Sequence, residues 1–170
     1  MIRRIVIVGV ITASLLLTAC SEPKLPGEGV TLGLMLELTL EELVAHGDWI
    51  VVGTVTGKES QWTADHSRIY TSVTVSVEEW VKGGPGENEI VITTPGGEVE
   101  GIGEWTEGAA GFQEGERVLV YLQLNDDGTA NVVGGWQGKF VIENGNIIGS
   151  ALSLAELVSQ IKTEVNKASE

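Results

Sequence analysis

Side chains able to do chemistry are scarce in this 170-residue chain, which has two histidines, His46 and His66, and one cysteine, Cys20. A tetrahedral zinc site takes ligands from cysteine, histidine and carboxylate, and this chain could hardly assemble enough of them. We therefore expect no metal site and no cofactor. Each histidine has a structural explanation: His46 is placed near the end of a short predicted helix, where it can interact with the last carbonyls, and His66 is placed in a polar connection.

Two short stretches come close to catalytic motifs and depart from them. Gly149-Ser150-Ala151 lacks the flanking glycine of the Gly-x-Ser-x-Gly turn that exposes a hydrolase nucleophile. The stretch GGWQGKF, residues 134–140, is one residue short of a phosphate-binding loop and has Phe140 where that loop has serine or threonine. We predict no catalytic residue and expect that the chain is not an enzyme.

The best remaining candidate site is a stretch rich in glycine and glutamate, residues 96–115, with no hydrophobic periodicity. A pair of its carboxylates could act as acid and base on a glycosidic bond, but a glycine-rich loop is a poor frame for catalysis. The same oxygens could bind a cation, and a solvated loop is the simplest interpretation. Of the five tryptophans, Trp49 and Trp80 fit the core, whereas Trp62, Trp105 and Trp136 lie in turn-rich stretches, where core packing is favoured over an exposed platform. The candidate binding surface comprises Glu98, Glu100, Glu104, Trp105, Glu107 and Trp136.

The N-terminus carries the clearest functional signal. Arg3 and Arg4 precede an uncharged apolar run, residues 5–17, which is shorter than the ~20 residues of a membrane-spanning helix. A cationic start followed by such a run and by small residues is typical of a secretory signal peptide. We expect residues 1–19 to be cleaved.

The tetrapeptide LTAC at the end of this run resembles the lipobox of bacterial lipoproteins. In that family the cysteine thiol is diacylglyceryl-modified, and a dedicated signal peptidase then cuts just before it. The resemblance implies that Leu17, Thr18 and Ala19 are the peptidase recognition positions and that Cys20 is the lipidation site. It further implies a protein anchored by lipid in the cell membrane or outer membrane and facing the periplasm or exterior.

Charge and composition limit the domain organisation and the partners expected for the remainder of the chain. Residues 20–29 hold the lipidated cysteine and a spacer rich in proline and glycine, and residues 30–170 are long enough for one domain. The net charge of −14 disfavours nucleic acid as a partner. With Cys20 acylated, no thiol remains for a disulfide, so the exported domain must be stable through packing alone.

Hydrophobic patterns place the predicted elements. Capping boxes at Thr39 with Glu42 and at Ser153 with Glu156 predict a short helix near the N-terminus and an amphipathic C-terminal helix over 153–167. Period-two alternation from Ile69 predicts a long half-buried strand that bulges or ends at residues 78–80. The nearly all-apolar run 116–124 predicts a central strand. Further strands are expected at 48–57, 88–95, 129–135 and 138–150.

These elements predict a mainly β fold, a small antiparallel OB-like barrel or curled sheet of about 5–6 strands with the two helices. From LTLEELVAHGDWIVVGTV to GERVLVYL, within Leu38–Phe140, the order resembles the OB-like barrel of netrin and tissue-inhibitor-of-metalloproteinase modules. Those modules are disulfide-rich, and the inhibitors chelate the protease zinc through a free N-terminal cysteine. Here that cysteine would be acylated, so metalloproteinase inhibition by the family mechanism is not expected.

Together these features predict an exported, membrane-anchored lipoprotein whose β-domain is a non-catalytic binding module for an envelope or extracellular protein, peptide or glycan. Two alternatives stay open. One is a carboxylate-dependent hydrolase that uses the Glu-rich stretch 96–115 with Trp105 as a substrate platform. The other is a purely structural component of the envelope.

Overall fold

The computed structural model describes residues 37–168 of the chain. The expected signal peptide, the lipobox residues 17–20 and the spacer 20–29 lie outside the described residues. The elements, in chain order, are α1 (Leu40–His46), β1 (Trp49–Trp62), β2 (Ile69–Lys82), β3 (Glu89–Pro95), β4 (Gly97–Val99), β5 (Ile102–Glu104), β6 (Arg117–Leu124), β7 (Ala130–Val132), a 3₁₀ turn (Gly135–Gly138), β8 (Lys139–Glu143), β9 (Asn146–Ile147) and α2 (Leu154–Lys167).

Both helices begin at the capping boxes that the sequence predicts. The Thr39 hydroxyl accepts from the amide of Glu42, whose carboxylate accepts in return from the Thr39 amide at 2.8 Å. Ser153 and Glu156 repeat this exchange at the start of α2. Because each box satisfies amides that have no partner within the helix, the start of each helix is fixed by local sequence. α1 ends at Gly47, as expected.

Five strands close into a barrel in the order β1-β2-β3-β7-β6, with β6 pairing back onto β1. Neighbouring strands are antiparallel except β3 and β7, which meet in parallel through the single pair Ile92 and Ala130. β8 and β9 extend the sheet from β6, and the turn between them has Asn144 and Gly145 at positive φ, as expected for a type I′ hairpin. The expectation of a mainly β, OB-like barrel with a helix near each end is confirmed.

The hydrophobic core has two parts, one on each face of β1 and β6. Inside the barrel lie alternate residues of these strands, such as Val51 and Val120, with Phe112 from the loop before β6. On the outer face, Ile50 and Tyr121 pack beneath both helices, where α2 contributes Ile161. Because both faces of β6 are covered, its sequence is a continuous apolar run, which explains why it was predicted as central.

β2 shows the predicted alternation and the predicted irregularity. Ile69, Thr71, Val73 and Val75 are buried, and the residues between them are half-buried. Its pairing with β1 shifts register between Val52 and Gly53, where Glu78 is left without a partner in the ladder. The Glu78 carboxylate accepts from Arg117 at 2.6 Å and from Thr54 at 2.9 Å. This bulge bends the strand as the barrel closes.

The stretch 96–115 is not the featureless loop that the sequence predicts. Its first part forms a β-hairpin, in which Gly97 pairs with Glu104 and Val99 with Ile102. Glycines separate the side chains of this hairpin, so it has no apolar alternation for periodicity to detect. Its turn has Glu100 and Gly101 at positive φ. The hairpin gives Glu98, Glu100 and Glu104 a defined frame.

Candidate functional site

The hairpin covers one end of the barrel and leaves a groove of about 520 Å3 beside it. We call this the hairpin groove. The far end of β1, the start of β2 and the end of β3 form its floor, and the segment 105–112 forms its opposite wall. The residues that give it polar or aromatic character are Lys58, Ser60, Thr71, Thr94, Glu98, Glu104, Trp105, Thr106 and Phe112.

Hydroxyl groups on the floor hold the hairpin in place. Ser60 Oγ and Thr71 Oγ1 lie 2.9 Å apart, and the Thr71 hydroxyl donates to the carbonyl of Gly96 at 2.7 Å. Gly97 follows at φ 141°, and a Cβ there would lie 2.4 Å from both hydroxyl oxygens. Only glycine lets the backbone approach the floor this closely. The hairpin therefore packs directly on the barrel end.

The opposite wall is also fixed by side chains from the barrel. Lys58 donates to the carbonyl of Phe112 at 2.7 Å, and Thr94 donates to the carbonyl of Ala110 at 3.0 Å. Lys139 pairs with Glu116 at 2.6 Å, donates to a nearby carbonyl, and lies 4.8 Å from the centroid of the Phe112 ring. These contacts make the wall part of the folded domain.

Glu104 is bound within the protein. Its carboxylate accepts from the amide of Ile69 at 2.7 Å and from the guanidinium of Arg68. The amide and then the guanidinium lower the pKa of Glu104 below its usual value. Glu104 is consequently ionised and already paired at neutral pH, which suits an anchor for the hairpin and opposes a role as general acid.

The structure brings three of the six predicted surface residues together. Glu98, Glu104 and Trp105 line the hairpin groove, and the Trp105 side chain is 83% exposed. Glu98 is exposed, and its carboxylate has no ion pair or hydrogen bond among the described residues. Glu100 lies at the hairpin turn, outside the groove. The expectation that loop tryptophans pack in the core is wrong for Trp105 and for Trp136, whose side chain is 58% exposed.

Glu107 and Trp136 lie toward a second groove of about 610 Å3, which we call the seam groove. It opens where β3 and β7 diverge beyond their single pair, and Glu107 lines it. Trp136 lies in the adjoining 3₁₀ turn, and its amide donates to the carbonyl of Gly108. Thr106 separates the two grooves, and its buried hydroxyl has no hydrogen-bond partner in the described structure. The six predicted residues therefore do not form one surface: three line the hairpin groove, Glu107 lines the seam groove, and Glu100 and Trp136 line neither.

Several residues that line or support the groove are not predicted from the sequence. Thr71 and Thr94 are buried hydroxyls at inward-facing positions of β2 and β3, and a polar residue in the apolar register of a strand is the signal that could have identified them. Arg68 gives no such signal, because it precedes Glu104 by 36 residues and meets it only in the folded barrel.

The remaining candidates are placed as follows. His46 lies in the last turn of α1 and His66 is exposed in the β1–β2 connection. Trp49 and Trp80 stack edge to face at 5.4 Å and pack half-buried against the barrel core, as expected. Among residues 37–168, no group of three or more histidine, cysteine or acidic side chains is arranged to hold a metal ion. No helix in this part of the chain combines the length and apolarity needed to cross a membrane.

No protein-family model matches this sequence, and a search of curated proteins found no significant match. A functional conclusion about the folded domain therefore rests on the geometry of its grooves.

Proposed function

We propose that this protein is an exported lipoprotein whose barrel binds an envelope or extracellular ligand in the hairpin groove. The cationic start, the apolar run and the lipobox-like sequence before Cys20 support the export and the anchor. The observation that carries the binding role is Trp105, a large aromatic side chain left exposed at the rim of a groove whose walls are fixed. Exposed aromatic anchors beside a concave surface are typical of binding sites.

The hydrolase alternative has one observation in its favour, because Glu98, Glu104 and Trp105 share one groove. A glycosidase needs a carboxyl group that is protonated near neutral pH and can donate to the leaving group. The lowered pKa of Glu104 opposes its use as that acid. Its carboxylate already accepts from the Ile69 amide and the Arg68 guanidinium, which opposes its use as the second, ionised carboxylate. We therefore favour binding over catalysis.

The anchor is tested by replacing the lipidation site. We expect that Cys20→Ser abolishes labelling of the protein by fatty acid in cells and leaves the precursor uncleaved, because the thiol is the acceptor for the lipid. The readout is the mobility and label of the full chain on a gel. Normal maturation of the variant would reject the lipoprotein assignment.

The binding role is tested by comparing two exposed tryptophans. The full chain, solubilised in a detergent without a sugar headgroup, is used to capture material from an envelope fraction. We expect Trp105→Ala to lose the captured ligand and Trp136→Ala, outside the hairpin groove, to retain it. Equal capture by wild type and Trp105→Ala would contradict a ligand site in this groove.

A further inference from the structure

The hydrogen-bond inventory of the hairpin groove restricts the kind of ligand it can hold. The hydroxyls of Ser60, Thr71 and Thr94 already serve contacts within the protein, and Lys58 donates to the carbonyl of Phe112. The hydroxyls of the floor are thus occupied, and the exposed Lys58 ammonium has one of its three N–H groups engaged. The Glu98 carboxylate and the Trp105 indole are exposed and have no hydrogen bond or ion pair among the described residues. A carboxylate accepts hydrogen bonds and an indole face attracts cations.

A positively charged ligand with hydrogen-bond donors would use both of these groups at once, because it can donate to the Glu98 carboxylate and lie against the Trp105 ring face.

The electrostatic surroundings favour the same ligand. The segment 96–116 has six glutamates and no lysine or arginine. In the described structure only Glu104 and Glu116 of these form ion pairs, with Arg68 and Lys139. The glutamates without an ion pair there are Glu98, which lines the groove together with Lys58, and Glu100, Glu107 and Glu114, which lie outside it. A surface of this charge attracts basic ligands and repels anionic ones.

We propose that the hairpin groove binds an arginine side chain carried by an extended, basic segment of a partner protein. The guanidinium would stack on Trp105 and donate to Glu98, and the aliphatic part of the side chain would lie along the apolar wall formed by Pro95 and Ala109. Arginine suits the site better than lysine because its planar group stacks on an aromatic ring and donates to a carboxylate at the same time. This inference rests on the proposed function and specifies its ligand.

The probe is the blocked pentapeptide Gly-Arg-Gly-Arg-Gly, titrated into the full chain in a detergent without a sugar headgroup. Its matched control carries citrulline in place of arginine, with the same shape and no charge. We expect Trp105→Ala and Glu98→Gln each to weaken binding of the arginine peptide by about fivefold or more. The citrulline peptide should bind at least as weakly as the arginine peptide binds to these variants.

Two matched variants separate a specific site from general attraction. Trp136→Ala and Glu107→Gln remove the same kinds of side chain outside the hairpin groove, and Glu107→Gln changes the net charge as Glu98→Gln does. Unchanged binding by both would support the proposal. An equal loss with Glu107→Gln and Glu98→Gln would overturn it, since diffuse charge alone would then explain the binding.

The proposed ligand class and the proposed binding function can be refuted separately. If a chitin tetrasaccharide binds in a Trp105-dependent manner and the arginine peptide does not, the groove is a glycan site and the present inference is wrong. The proposed function would survive that result. If capture of envelope material does not depend on Trp105, the proposed function itself fails, whatever the peptide does.

Discussion

Within the hairpin groove, contacts with neighbouring groups determine which carboxylate is available to a ligand. Glu104 shows this most clearly, because the Ile69 amide and the Arg68 guanidinium turn a candidate catalytic carboxylate into a structural anchor. Glu98 has the same chemistry and no such neighbours. The two carboxylates therefore differ in role although they lie on the same hairpin, and only Glu98 is available to a ligand.

A single buried hydroxyl outside the groove gives a test of the packing. Tyr121 is fully buried beneath the helices, its ring lies 5.9 Å from that of Phe140, and its hydroxyl has no partner within residues 37–168. Burial raises the pKa of Tyr121. We expect Tyr121→Phe to leave the free energy of unfolding unchanged or to raise it by up to about 1 kcal/mol, because it removes a polar group that forgoes its hydrogen bonds on folding.

Urea unfolding of the wild-type protein and of Tyr121→Phe measures the difference in their free energies of unfolding. Phe140→Leu provides the control, since it disturbs the same ring contact without changing the hydroxyl, and we expect it to destabilise the protein. A loss of more than about 1 kcal/mol for Tyr121→Phe would show that the hydroxyl has a partner.

At the scale of elements, the β4–β5 hairpin depends on close backbone contact with the barrel end. Gly97→Ala would force a Cβ against the hydroxyls of Ser60 and Thr71 and would strain a backbone at φ 141°. We expect it to lower the free energy of unfolding by about 1–3 kcal/mol, the usual effect of overpacking. Gly103→Ala lies in the same hairpin with no atom within 4 Å of the new Cβ, and we expect a change within about 0.5 kcal/mol.

Thermal unfolding and hydrogen exchange at the hairpin amides would measure both variants. If Gly97→Ala and Gly103→Ala were equally stable, the hairpin would not pack on the floor as described.

The elements also show which parts of the structure a sequence can predict. The capping boxes at Thr39 and Ser153, the alternation of β2 and the apolar run of β6 are local patterns with one good structural solution, and all were predicted. The hairpin was missed because glycines between its side chains remove any periodic signal. The groove was only partly predicted, because Arg68, Thr71 and Thr94 meet the 96–115 stretch through contacts distant in sequence.

For the whole molecule, the depressed carboxyl pKa values make stability depend on acid pH. Hydrogen bonds and ion pairs lower the pKa of Glu42, Glu78, Glu104, Asp127 and Glu156, and the hydroxyls of Thr63 and Ser67 lower that of Asp65 to about 2. A carboxyl group whose pKa is lower in the folded than in the unfolded state stabilises the folded protein, and its full contribution is present above the unfolded-state pKa. That contribution is lost as the pH falls through the folded-state pKa.

We therefore expect the melting temperature to vary little from pH 7 to about pH 5 and to fall steadily toward about pH 2. Circular dichroism melts over this range measure the effect. Asp65→Asn should flatten the most acidic part of the curve, because it removes the group that is protonated last. A melting temperature that rises on acidification would contradict the carboxylate contacts described above.

The central claim is that the hairpin groove is the binding surface of an anchored, exported protein, and cross-linking in intact cells tests it most directly. Ile102 on the hairpin and Ile148 after β9 are similarly exposed, at 56% and 53%, and each can be replaced by the photoreactive residue p-benzoylphenylalanine in the full chain. We predict that light produces a defined adduct from position 102 that disappears with Trp105→Ala, and none from position 148. Adducts from position 148 alone, or adducts from position 102 that persist without Trp105, would contradict the account.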